Sequence, residues 1–154
     1  MKSDINSNTI KLVLFDLDGV LIQENRNFTL DQILTPLKKF VEDILAEGIH
    51  FSIVSGRHND EVTNFLEVYK IKLITSSLNK VSDAEKIIND LGIEFDEVFF
   101  MGDDILDIPL LQKVGFSAAP RNARREVKRV VKKIIPAEDV DFMLNEIKKI
   151  VLQK

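Results

Sequence analysis

The sequence predicts a three-layer α/β fold: a Rossmann-like, mostly parallel central sheet with helices on both faces and no cap domain. Short apolar segments alternate with longer amphipathic segments, which is the order of strands and helices in such folds. The strand-like segments are apolar throughout, as expected of strands that are buried on both faces. A length of 154 residues suits one domain. We therefore expect a single domain over residues 1–154, with residues 1–8 as a flexible N-terminus.

Five apolar segments are predicted to be strands, and a shorter segment is a weaker sixth. They are bounded by glycine and polar residues, as strands commonly are. The predicted strands cover residues 10–15, 49–54, 71–74, 98–101, 116–118 and 134–135.

Helices are predicted between these strands because apolar residues there recur with helical spacing. Each of the first three has a candidate capping or first-turn signal, and Gly48 and Gly92 are predicted to end the first and third. Further helices are expected after residue 104, from about residue 123 and over residues 140–152. The predicted starts of the first three are Thr35 with Pro36, Asn59, and Ser82 with Glu85.

Composition excludes several classes of protein. The chain has no cysteine, which rules out disulfides and thiolate metal sites, and its two histidines are too few for a histidine-rich metal centre. A net charge of −4 gives no reason to expect nucleic-acid binding. No apolar segment is long enough to span a bilayer, and the polar N-terminus does not look like a signal peptide. We expect a cytoplasmic protein that binds neither nucleic acid nor membrane.

Polar residues follow four of the predicted strands, where each strand ends. Parallel strands bring their carboxyl ends to one edge of a sheet, and ligands bind there in folds of this class. The sequence therefore predicts one site assembled from four strand ends. The candidate residues are Asp16, Asp18 and Gly19; Ser55, Gly56 and Arg57; Lys80; and Gly102, Asp103, Asp104 and Asp107.

The residue types in this set indicate a magnesium-dependent reaction on a phosphoryl group. Several carboxylates repel one another and normally need a cation. Oxygen ligands without histidine or cysteine suit Mg²⁺. A serine, a lysine and backbone N–H groups bind phosphoryl oxygens. Of two aspartates in alternate positions, one can attack phosphorus and the other can act as general acid and base.

Four segments of the sequence, in order, resemble the motifs of haloacid dehalogenase-superfamily phosphatases. These segments are "DLDGV" at 16–20, "SGR" at 55–57, Lys80 in "NK" and "GDDILD" at 102–107. The resemblance implies a phosphatase with Asp16 as nucleophile and Asp18 as general acid and base. It implies that Ser55, Gly56 and Lys80 bind the phosphoryl group, with Lys80 counted among the catalytic residues. Asp103 would bind Mg²⁺ together with the Asp16 carboxylate and the Asp18 carbonyl, with Asp104, Asp107 and Arg57 in accessory roles.

A closer resemblance is to the capless subgroup of 3-deoxy-D-manno-octulosonate 8-phosphate phosphatases, to which "PRNARREVK" at 120–128 is also similar. It implies a phosphorylated sugar or sugar acid as substrate and a homotetramer whose neighbouring subunits close the site. The sequence departs from the subgroup in two places. Residues 21–34 are short and lack the "DGxGI" ending, and "IIPAEDVDFML" before the last helix contains no glycine.

The spacing of the motifs leaves no room for an inserted cap. Residues 19–54 and 81–101 each accommodate one helix and one strand, so we expect an open site. An open site would also admit a nucleotide or macromolecular substrate, and a non-catalytic assembly module and a phosphoacceptor receiver domain are further alternatives. His58 and Arg121 follow predicted strands and are weaker candidates for substrate contact.

Overall fold

The computed structural model describes residues 10–23 and 29–152. The predicted flexible segment 1–8 and part of the predicted short segment 21–34 lie outside the described residues. The six strands are β1 (Leu12–Phe15), β2 (His50–Val54), β3 (Leu73–Ile74), β4 (Val98–Met101), β5 (Phe116–Pro120) and β6 (Lys133–Ile135). The α-helices of the described part are α1 (Leu30–Leu45), α2 (Glu61–Val68), α3 (Lys80–Leu91), α4 (Ile108–Lys113), α5 (Arg125–Lys128) and α6 (Val140–Leu152).

The six strands form one sheet in the order β3-β2-β1-β4-β5-β6, and every pair is parallel. The prediction of a three-layer, mostly parallel α/β fold is confirmed, and the weak sixth strand is present. In chain order, β1, β2 and β3 run from the middle of the sheet to one edge, and β4, β5 and β6 run from the middle to the other edge. The order therefore reverses between β1 and β4, and such a reversal opens a crevice at the carboxyl ends of the two strands.

Strand β1 is buried on both faces, which explains why its sequence is apolar without alternation. Val13 and Phe15 face a core that includes residues of α1, α2 and α6. Leu12 and Leu14 face a second core that includes residues of α3, α4 and α5. The helices thus form two layers, one on each face of the sheet, and α1 packs against α6 within the first.

Helix α1 begins six residues earlier than predicted. Its first residue is Leu30, Thr29 is the N-cap, and Pro36 lies inside the helix. The Thr29 N–H donates to Gln32 Oε1 at 2.9 Å. Ile33 and Leu34 add another buried turn to the apolar stripe. This burial and the cap outweigh the preference of proline for a first turn.

The predicted caps of α2 and α3 were also wrong, each by a short distance. Asp60 caps α2 because its Oδ1 accepts from the N–H groups of Val62 and Thr63, at 3.0 Å each. Helix α3 begins at Lys80, and Asn79 Oδ1 accepts from the Ser82 N–H at 3.0 Å. Neighbouring polar residues compete for a cap, and only the local backbone decides between them. The predicted span of α6 is confirmed at both ends.

The described connections between consecutive strands contain no second domain, so the predicted absence of a cap is confirmed for that part of the chain. Searched over the same residues, the structure contains no helix with the length and apolar character that a bilayer crossing requires.

Phe15 is the centre of the aromatic part of the core. Its ring lies 5.8 Å from that of Phe40 and 5.2 Å from that of Phe51, between centroids, and its exposed fraction is 0%. We expect Phe15→Ala to lower the free energy of unfolding by about 3–5 kcal/mol, because it leaves a cavity in a closely packed core. Urea denaturation measures the change.

Phe142→Ala is the matched control, since this side chain is 47% exposed. It should change the unfolding free energy by only about 0.5 kcal/mol. Equal losses for the two variants would contradict the central role of Phe15.

Candidate active site

One cleft of about 1260 Å³ lies at the carboxyl edge of the sheet, over the ends of β1 and β4. Its walls come from the loops that follow β1, β2, β3 and β4, as the positions of the polar residues predicted. Of the residues named at the four strand ends, the structure brings all but Gly102 to this cleft. They are Asp16, Asp18, Gly19, Ser55, Gly56, Arg57, Lys80, Asp103, Asp104 and Asp107.

The centre of the cleft is a buried ammonium group between two carboxylates. Lys80 Nζ lies 3.1 Å from Asp16 Oδ2 and 2.6 Å from Asp107 Oδ1. Asp107 has no exposed surface and Asp16 is 7% exposed. Burial acts to lower the pKa of the Lys80 ammonium, but the two carboxylates reverse the effect and raise it. Lys80 therefore stays charged and joins the loop after β1 to the loop after β4.

Asp107 also organises the loop that follows β4. Its Oδ2 accepts from the backbone N–H groups of Asp103 and Asp104, at 3.0 and 3.1 Å. A Cβ on Gly102 would lie 2.6 Å from the same oxygen, so only glycine leaves room for this contact. With one oxygen on Lys80 and the other on the backbone, Asp107 holds the loop that carries Asp103.

Gly19 lets the loop after β1 approach Asp103 closely. Its φ of +87° favours glycine, and a Cβ there would lie 1.8 Å from Asp103 Oδ2. The glycine of the first motif therefore makes space for an acidic side chain of the fourth motif.

Three carboxylates converge at the base of the cleft. One oxygen from each of Asp16, Asp103 and Asp107 lies within 4.8 Å of the others. Burial raises the pKa of Asp16 to about 8, and Asp107 adds to the rise. Burial, with Asp107 and Asp104, raises the pKa of Asp103 to about 6. The single charge of Lys80 does not balance these carboxylates, so the donor set fits a hard divalent cation such as Mg²⁺.

The loop after β2 is bonded to the loop after β3 at the wall of the cleft. Ser55 is buried and its Oγ accepts from the Arg57 N–H at 3.0 Å. Its backbone carbonyl accepts from the Ser77 N–H at 2.9 Å. Gly56 is exposed beside the cleft between them. The loops after β2 and β3 are thus bonded together, with a hydroxyl and a glycine at the cleft wall.

Asp18 and Arg57 face each other across the mouth of the cleft. Arg57 Nη1 lies 3.7 Å from Asp18 Oδ1, and Arg57 Nε lies 3.2 Å from Asp60 Oδ2. Nη1 is buried and has no hydrogen-bond partner. The Asp18 side chain is 54% exposed, whereas the Asp16 side chain is only 10% exposed.

Sequence reasoning did not identify several residues of the cleft wall. They lie in the loops after β1, β3, β4 and β5 and on the first turns of α3 and α4. Extending the reading of strand ends to every strand would have found those close to a strand end, such as Ser77 and Asn122. The residues that were missed include Gln23, Ser77, Leu78, Val81, Glu85, Leu106, Pro109 and Asn122.

The two weaker candidates lie outside the cleft wall. His58 Nδ1 is 2.9 Å from Ser76 Oγ, and Arg121 Nη1 is 3.4 Å from Glu138 Oε2. The chain position after β5 that does reach the cleft is Asn122.

The chain belongs to the haloacid dehalogenase-like hydrolase family, whose model matches residues 13–79 and 68–147. The resemblance stated from the four motifs is thereby confirmed.

Curated relatives are phosphatases that are longer than this chain. It is 35% identical over 110 residues to phosphoglycolate phosphatase of Methanopyrus kandleri, with 71% of this chain and 44% of the relative covered. It is 27% identical over 125 residues to 3-deoxy-D-manno-octulosonate 8-phosphate phosphatase of Salmonella typhi, with 76% of this chain and 65% of the relative covered. The chain therefore spans less than two thirds of these two relatives.

A solved structure shares the fold of this chain. It is the 3-deoxy-D-manno-octulosonate 8-phosphate phosphatase of Moraxella catarrhalis, in complex with magnesium, phosphate and the sugar acid. The TM-score is 0.77 at 20% identity, and the match covers 97% of this chain and 92% of the other.

The buried position of Asp107 generates a stability prediction. Asp107→Ala removes one partner of Lys80 and leaves the backbone N–H groups of Asp103 and Asp104, which are only partly buried, without their acceptor. We expect a loss of about 3 kcal/mol in unfolding free energy. Asp90→Ala, on the exposed surface of α3, should cost about 0.5 kcal/mol or less. Chemical denaturation without metal compares them, and a wild-type midpoint for Asp107→Ala would refute the structural role.

Proposed function

We propose that this chain is a magnesium-dependent phosphomonoester hydrolase that works through an aspartyl-phosphate intermediate. The single observation that carries the proposal is the convergence of Asp16, Asp103 and Asp107 around Lys80, beside the Ser55 loop. Family membership and the phosphatase names of the relatives support it.

Asp16 is the proposed nucleophile. The Leu17 N–H donates to its Oδ1 at 2.8 Å, and Lys80 holds Oδ2, so the carboxylate is fixed in orientation before substrate arrives. A carboxylate oxygen attacks phosphorus, the bond from phosphorus to the leaving oxygen breaks, and the phosphoryl group is transferred to Asp16.

Asp18 is the proposed general acid and base. Its side chain is more exposed than that of Asp16 and lines the cleft. In the first step it donates a proton to the leaving oxygen. In the second it accepts a proton from the water that attacks the phosphoaspartate, which restores Asp16 and releases inorganic phosphate.

The remaining residues bind and balance charge. Ser55, the Gly56 N–H and Lys80 bind phosphoryl oxygens in this proposal. Asp16 and Asp103 with the Asp18 carbonyl would hold Mg²⁺, and Asp107 holds the loop that carries Asp103. When bound, the cation neutralises the carboxylates and the developing charge on the phosphoryl group.

The proposed substrate is a small phosphorylated sugar or sugar acid. The support comes from the relatives named for 3-deoxy-D-manno-octulosonate 8-phosphate and from a cleft that is larger than a phosphoryl group alone requires. The single-domain organisation is part of the proposal. Assembly as a homotetramer, expected from the resemblance, stays a prediction.

Phosphate release from p-nitrophenyl phosphate tests the chemistry. We expect release in the presence of Mg²⁺ and none with a chelator. Asp16→Asn should reduce release to background because an amide is not a competent nucleophile. Asp18→Asn should lower kcat by about 10²–10⁴-fold, the contribution of general acid–base catalysis.

Asp90→Asn is the matched control because it makes the same chemical change on the exposed surface of α3, and it should keep wild-type activity. Full turnover by Asp16→Asn would sink the proposed mechanism. A phosphoryl group trapped on Asp16 after acid quenching of Asp18→Asn would support the intermediate directly.

Metal binding has a separate readout in thermal unfolding. Mg²⁺ at a hundred times its dissociation constant should stabilise the wild type by about 2.7 kcal/mol, a shift of roughly 5–10 °C in Tm. Asp103→Asn should lose most of this shift. Its metal-free form should unfold no earlier than the wild type, because the substitution removes a carboxyl group from the acidic cluster. An undiminished shift in Asp103→Asn would place the cation elsewhere.

A further inference from the structure

We propose that the substrate's leaving group is uncharged or cationic with an apolar face, and that the cleft disfavours leaving groups that carry a carboxylate. The inference rests on the proposed phosphatase function. It decides between the two substrate classes left open there, since it favours a neutral or amino sugar phosphate over a phosphorylated sugar acid.

The charges that line the cleft are strongly unequal. In the described part of the chain, the cationic side chains at its wall are those of Arg57 and Lys80. Six carboxyl groups line the same cleft: Asp16, Asp18, Glu85, Asp103, Asp104 and Asp107. A bound divalent cation and a phosphoryl dianion cancel each other in formal charge, so the excess of negative charge remains when both are present.

Both cations are already committed to partners inside the protein. Lys80 is shared by Asp16 and Asp107, at 3.1 and 2.6 Å, and only 12% of its side chain is exposed. Arg57 pairs with Asp60 through Nε at 3.2 Å and lies 3.7 Å from Asp18; its Nη1 makes no hydrogen bond but is buried. Both cations thus face carboxylates of the protein, and neither is an unpaired charge for a carboxylate at the far end of a substrate.

The basic residues Arg121 and Lys128, which follow β5, do not supply a further cation to the cleft wall. Arg121 was the candidate for reaching an anionic substrate, but it pairs with Glu138 at 3.4 Å and lies outside the cleft wall. Lys128 Nζ donates to the Arg121 carbonyl at 2.9 Å.

The outer wall of the cleft combines apolar and acidic side chains. Leu78 is 100% exposed and Leu106 is 79% exposed, and these leucines come from the loops after β3 and β4. Such surface suits the C–H face of a sugar ring or another apolar group. Glu85, on α3, and Asp104 line the same cleft. They would repel a leaving-group carboxylate and attract an amine.

A charge series of hexose phosphates tests this selectivity. Glucosamine 6-phosphate, glucose 6-phosphate and 6-phosphogluconate differ in charge away from the phosphoryl group. 3-Deoxy-D-manno-octulosonate 8-phosphate is added as a second compound that carries a carboxylate. Each competes against p-nitrophenyl phosphate with the Mg²⁺-loaded wild type. Calorimetry on Mg²⁺-loaded Asp16→Asn measures binding without turnover.

We expect glucosamine 6-phosphate and glucose 6-phosphate to bind at least about tenfold more tightly than either acid, the equivalent of about 1.4 kcal/mol. Glu85→Lys should tighten binding of 6-phosphogluconate by about tenfold and weaken that of glucosamine 6-phosphate. Asp90→Lys makes a like change of charge on the same helix, outside the cleft, and should leave the series unchanged. Leu78→Ser should weaken binding of the neutral sugar without changing the molecular mass in solution.

Several outcomes would overturn the proposal. These are equal or tighter binding of the acids by the wild type, a series that Glu85→Lys does not alter, or no binding by any member. A change in the molecular mass of Leu78→Ser in solution would assign the exposed leucine to a subunit interface. It would overturn the proposal that this leucine contacts an apolar face of the leaving group. Absence of p-nitrophenyl phosphate turnover in the wild type would instead refute the proposed function, while calorimetry would still decide the charge preference.

Discussion

The arrangement of the cleft depends on one buried ammonium group. Lys80 lies between Asp16 and Asp107, and these residues belong to the start of α3 and to the loops after β1 and β4. A buried charge is tolerated only when it is paired and hydrogen-bonded. The three segments are therefore fixed relative to one another before any ligand arrives. This preorganisation turns three strand ends, distant in the sequence, into one reactive centre.

The same cluster keeps a surplus of negative charge that the protein does not neutralise by itself. Burial raises the pKa values of Asp16 and Asp103, and the neighbouring carboxylates add to the rise. In a purely structural ion-pair network, added partners would be expected to lower the pKa values of both carboxyl groups. Here two glycines, Gly19 and Gly102, admit acidic side chains to positions where a Cβ would collide with them. The backbone thus brings the carboxylates together at an electrostatic cost, which a divalent cation would offset.

The sequence was sufficient for the strands and the cleft, because both follow from one rule of parallel sheets. Apolar segments without alternation predicted buried strands, and the residues after them predicted which side chains would meet. It was insufficient for the helix starts, since Asn59 competes with Asp60 and a buried turn carries Pro36 inside α1. The structural role of Asp107 could not be predicted from the sequence either. Its bonds to Lys80 and to two backbone N–H groups are tertiary contacts that no periodicity encodes.

The residues proposed to carry out the reaction and those proposed to select the substrate lie in different parts of this fold. Similarity to relatives is therefore stronger evidence for the reaction than for the substrate. The proposed reacting groups follow strand ends, where a parallel sheet brings them together. The groups that would meet the rest of a substrate are on loops and on the outer turns of α3, where Leu78, Glu85 and Leu106 have few packing constraints. Identity of 27% to a sugar-acid phosphatase therefore supports the reaction more strongly than the substrate. A carboxylate-bearing substrate needs a cation to receive it, and at the described wall of this cleft both cations are already paired.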